Sequence, residues 1–79
     1  MTNRTITKER GADIKHIALS ADECIRIING PKGWMAQVFK IEHISHGTER
    51  FSPIGEKIGV SRFVNRLDGG DRIAAMFGK

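Results

Sequence analysis

Four groups of residues in this chain are of types that can do chemistry. Cys24 is a potential nucleophile, with His16, His43 or His46 as its base. His43-x-x-His46 has a spacing found among metal ligands, and Asp68-Gly-Gly-Asp71 sets two carboxylates close together. Gly55-x-x-x-Gly59 has the glycine spacing of a turn but lacks the Gly-Lys-Ser/Thr ending of a phosphate loop. Each group also has a plainer reading. Cys24 falls on the apolar stripe of an expected helix, where a thiol is buried and inert. The two histidines straddle a strand end and a turn with no third ligand near in sequence, whereas zinc takes three or four. Asp68 and Gly69 read as the close of one helix, and Asp71 as the N-cap of the next. Catalysis needs a base, a nucleophile or a metal in convergent geometry. The sequence therefore predicts no enzyme, no cofactor and no metal.

Charge carries more. Thirteen Lys and Arg against nine Asp and Glu give a net charge of +4, which favours a polyanionic partner. Arg62 and Arg66, four residues apart on an expected helix, share one outward face, with Lys57 and Arg72 nearby. Arg4, Lys8 and Arg10 make the first eleven residues a basic arm of the kind that can track phosphates. The expectation is a small non-enzymatic basic protein that engages nucleic acid, or an acidic or nucleoprotein partner, through its C-terminal face and the arm. The alternative is a protein-binding inhibitor acting by occlusion, of the phage- or plasmid-borne anti-defence (anti-CRISPR-like) type, with Trp34, Met35 and Phe51 as contact residues. A third expectation is a self-associating structural subunit, a homodimer closed by the strand 34–44.

The elements that must position these groups fit one domain, residues 1–79. Eleven isoleucines against two leucines tilt the chain toward strands. Residues 13–20 read as a short strand. Ser20 and Glu23 have the spacing of a capping box, and Ala21, Cys24, Ile25 and Ile28 recur at helical spacing, so a helix is expected over 21–29, closed by Gly30 and Pro31. Residues 34–44 alternate as the longest strand, with Met35, Phe39 and Ile41 on one face and Trp34, Ala36 and Val38 on the other. A four-residue loop, 45–48, returns the chain as an antiparallel strand that ends at Pro53 or lies at an edge. Short helices are expected over 62–68 and 72–77. The fold class is thus α+β: an antiparallel hairpin or sheet packed with one N-terminal helix and one or two C-terminal ones. No apolar run reaches the ~20 residues of a membrane helix, and the polar, basic N-terminus has no secretion-signal core, so the expected location is cytoplasmic with no membrane partner.

Residues 54–61 resemble the turn of a DNA-reading helix-turn-helix: Ile54 and Gly55, then Ile58 and Val60 flanking Gly59, then Ser61 as a polar cap. The resemblance covers that turn alone. The second helix of the motif buries apolar residues six and nine positions after its glycine, where this chain has Asn65 and Asp68. Val64 and Leu67 fall one step early, about 100° around a helix.

Overall fold

The computed structural model describes residues 5–10 and 13–79. Five strands, β1 (Thr7–Arg10), β2 (Ile14–Ala18), β3 (Glu23–Gly30), β4 (Gly33–Ser45) and β5 (Thr48–Gly59), are followed by one helix, α1 (Gly69–Met76). The strands form one antiparallel sheet in chain order, β1-β2-β3-β4-β5. Strands β2 to β5 carry most of the pairing; β1 adds the short edge Thr7–Arg10 beside β2.

Helix α1 and the turns before it cover one side of this sheet. Ile17, Ile25, Ile27, Ala36 and Val38 point into that side and are buried against Val60, Val64, Ile73 and Ala74. Ile17, Ile25, Ile27 and Ile73 are fully buried, each contributing about 1.5–3 kcal/mol of hydrophobic stabilisation. The start of α1 lies so close to the preceding turn that a Cβ on Gly69 would collide with the Phe63 carbonyl oxygen. Only a residue without a Cβ permits that approach.

The expected helix over 21–29 is a strand. Its apolar residues satisfy two periods at once: Cys24, Ile25 and Ile28 recur at helical spacing, while Ile25 and Ile27 alternate and are both buried. Three β-branched isoleucines and eight register partners on β4, from Glu23↔Lys40 to Gly30↔Gly33, decide for the strand. The capping-box residues form the β2–β3 turn instead. The Leu19 and Ser20 amides both donate to the Glu23 carbonyl at 3.1 Å, and the Ser20 hydroxyl donates to Asp22 Oδ1 at 2.8 Å. The same side-chain chemistry that caps helices also closes turns.

The C-terminal third needs a second correction. Residues 61–68 are successive turns, with Phe63 N donating to Val60 O, Arg66 N to Phe63 O and Gly69 N to Arg66 O. No helix forms over 62–68, so Arg62 and Arg66 do not share a helical face. The expected 72–77 helix begins earlier, at Gly69, which places Asp71 in its first turn and not at its N-cap. The fold is therefore an antiparallel sheet with one short C-terminal helix.

Strand β5 runs on through Pro53 to Gly59 as an edge, where a missing amide donor is tolerated. That removes the helix-turn-helix: Ile54–Gly59 belongs to strand β5, and Val60 N donates to the Trp34 carbonyl at 2.8 Å. Between Ala36↔Ile58 and Val38↔Ile54 the edge bulges. Gly55 turns there at φ +75°, and Gln37 Nε2 donates to its carbonyl at 2.8 Å. The expected four-residue loop after β4 tightens to His46–Gly47 between the paired Ser45 and Thr48.

Candidate functional site

Residues opposite one another in an antiparallel pair point to the same side of the sheet. The register therefore assigns the side away from α1: His16 faces Arg26 and Arg26 faces Gln37; Ile14 faces Ile28 and Ile28 faces Met35; Cys24 faces Phe39; Ile41 faces Phe51. No element of the described chain packs over this side. Ile28 remains 45% exposed, and Met35, Phe39 and Phe51 are half-buried. A one-sided sheet ordinarily turns polar residues to water. This one turns a largely apolar floor.

Arg26 stands at the centre of that floor. Its guanidinium lies 4.8 Å from the Phe51 ring centroid and 5.7 Å from that of Phe39, a cation–π arrangement worth about 0.5–2 kcal/mol. The side chain separates two shallow depressions. The larger, about 490 Å³, is lined by Arg26, Lys32 and Lys57 together with Ile28, Met35, Phe39 and Gln37, and carries no carboxylate. The smaller, about 280 Å³, is lined by the other side of Arg26, by His16, Cys24 and Phe51, and by two acids, Glu23 and Glu49. Glu49 is held by His43, Nδ1 to Oε2 at 3.3 Å, where the β4–β5 ribbon extends past the last β3 partner at Lys40. Positive charge is thus concentrated at the β3–β4 turn end of the face.

The basic residues singled out in the sequence lie apart from one another. Lys57 lines the open face beside Lys32. Arg62 is exposed on the turns after β5. Arg66 Nε and Arg72 Nε both donate to one carboxylate, Asp68, at 2.9 and 3.0 Å. These bonds, that from Arg66 first, hold the Asp68 carboxyl down at about 2, and Asp68 raises the Arg66 pKa in return. Asp68 thereby offsets part of the charge expected to meet phosphates. A depression of about 520 Å³ beside them mixes Lys15 and Arg66 with Asp68 and Asp71; it is larger than the site on the open face, but its signs cancel. Arg4 lies outside the described residues, as do the side chains of Lys8 and Arg10.

Of the expected protein-contact residues, Met35 and Phe51 share the open face, whereas Trp34 packs at the edge of the core with Lys15 Nζ 5.4 Å from its ring. Cys24 is buried at 3% exposure. Among the described residues, no three His, Cys, Asp or Glu side chains gather as a metal site, and no helix is long and apolar enough to cross a membrane.

Arg26, Lys32, Ile28 and Phe39 were not among the residues singled out. Reading 21–29 as a helix turned Arg26 to solvent, away from Cys24 and Ile28. The period-two signal was present: Cys24, Arg26 and Ile28 alternate with Ile25 and Ile27. Compared with known protein families, curated proteins and solved structures, the chain has no significant match.

Proposed function

We infer that this protein is a non-enzymatic binding module that holds a polyanionic partner, nucleic acid or a nucleic-acid-handling complex, on the uncovered face of its sheet. One observation carries the reading. Lys32 and Lys57 line a single depression that contains no carboxylate, while the C-terminal arginines share Asp68. The net charge of +4 supports the same sign of partner. Phosphate contact needs cations at charge-to-charge reach and no enclosed pocket. The test is fluorescence anisotropy of labelled oligonucleotides and of an acidic polypeptide at low salt. The reading expects saturable, salt-sensitive binding to at least one of them; no binding to any polyanion overturns it.

A second reading, occlusion of a protein partner, is favoured by one specific observation: Met35 and Phe51, with Ile28 and Phe39, make the floor of that face apolar. It expects a protein complex that survives nuclease and high salt and that charged substitutions at Met35 or Phe51 abolish.

A further inference from the structure

We propose that the polyanion which fits the open face is a single-stranded nucleic acid, with bases laid on the Arg26–Phe39–Phe51 platform and phosphates directed to Lys32 and Lys57. The proposal rests on the reading of that face as a polyanion site, and it names the occupant. Three features select it. The cations stand beside an apolar floor and not on a uniformly charged surface, so a ligand that uses the whole face carries flat apolar groups as well as negative charge. A duplex keeps its base faces stacked inside and meets such a floor with backbone alone, whereas a single strand exposes a π-face on every nucleotide. The guanidinium of Arg26 and the two rings it covers provide stacking surfaces for those bases.

Length agrees with this assignment. From Met35 to Ile41 the floor runs six residues along β4, roughly 20 Å at about 3.3 Å per residue. That suits a site of about four nucleotides, the lower end of the range for small single-strand binders. An acidic peptide meets the cations but lacks stacked planar groups.

The experiment compares five probes of matched length on the full chain: single-stranded RNA, single-stranded DNA, an abasic strand, duplex DNA and polyglutamate. Each is measured by anisotropy with the wild type, with K32A/K57A and with Phe51→Leu. Phe51 lies on the ribbon beyond the β3 pairing and outside the core, so Leu keeps its bulk without the ring; an unchanged circular dichroism spectrum and melting curve confirm the fold. The expected result is binding to a single strand at least tenfold tighter than to the abasic strand or the duplex. Phe51→Leu weakens it about fivefold or more, the lower bound of one base–aromatic stack, and leaves abasic binding unchanged. The RNA and DNA arms then tell which sugar the face accepts.

Equal binding of abasic, duplex or polyglutamate probes, still lowered by K32A/K57A, overturns the single-strand assignment and leaves the polyanion site standing. Binding to none of the five overturns both. A dimer in light scattering that Phe51→Leu dissociates, with no oligonucleotide competing for it, assigns the face to a second copy and overturns the proposal.

Discussion

Removing Lys32 and Lys57 together is the most informative perturbation of the open face. Both are exposed, one on the β3–β4 turn and one on the edge strand β5, and neither belongs to the core. The double substitution to alanine therefore changes charge at little cost in folding. Its effect follows from counterion release. Two lysine–phosphate contacts on a single strand give a slope of log K against log salt of about −1.4, from about −0.7 per contact. Raising salt from about 50 to about 200 mM then weakens the wild type about sevenfold. With both lysines removed the slope falls toward zero, and the same step changes affinity little. Anisotropy titrations at four or five salt concentrations resolve the two slopes. Parallel lines for wild type and double variant refute the reasoning, because the phosphates then meet other residues.

The remaining expectations concern the C-terminal third. Asp68→Asn releases Arg66 and Arg72 from their shared partner; with the site on the open face, oligonucleotide affinity changes less than about threefold, the reach of one surface charge at physiological salt, whereas a C-terminal site gains substantially. The Asp68 carboxyl lies below its ordinary value, at about 2 against 3.8. Its contribution to stability is therefore fully present above 3.8 and is lost as pH falls through about 2, and carbon-detected NMR of the side-chain carboxyl should show that midpoint. Gly69→Ala drives a methyl into the Phe63 carbonyl; overpacking of this kind costs about 1–3 kcal/mol, read as a lowered urea midpoint.

How much of this was legible in the residues varies along the chain. Strand β4 was legible because Met35, Phe39 and Ile41 alternate cleanly with Ala36 and Val38 over a run too long for ambiguity. Strand β3 was not, since a short apolar run with a capping box in front satisfies helix and strand alike; long-range pairing with β4 settled it. The segment 61–68 has helical spacing at Phe63, Val64 and Leu67, yet only Val64 is buried and Leu67 is fully exposed. With so little of that stripe in the core, nothing rewards a continuous helix. The candidate site depends on β3 in the same way. Lys57 was visible as one cation among several, but Arg26 joins it only once β3 is a strand, and Lys32 only once the β3–β4 turn folds beside β5. The pairing of Arg66 and Arg72 with Asp68 was hidden for the complementary reason: a turn and a helix start bring the three together where two separate helices were expected.

The central claim is that the face away from α1 is where the partner sits. Backbone amide shifts recorded while a short unlabelled single-stranded oligonucleotide is titrated into ¹⁵N-labelled protein test it directly. The account predicts perturbations clustered on Arg26, Ile28, Met35, Phe39, Phe51 and Lys57, with Arg62–Arg72 unmoved. Shifts concentrated on Arg62, Arg66 and Arg72, with the β3–β4 face silent, contradict it.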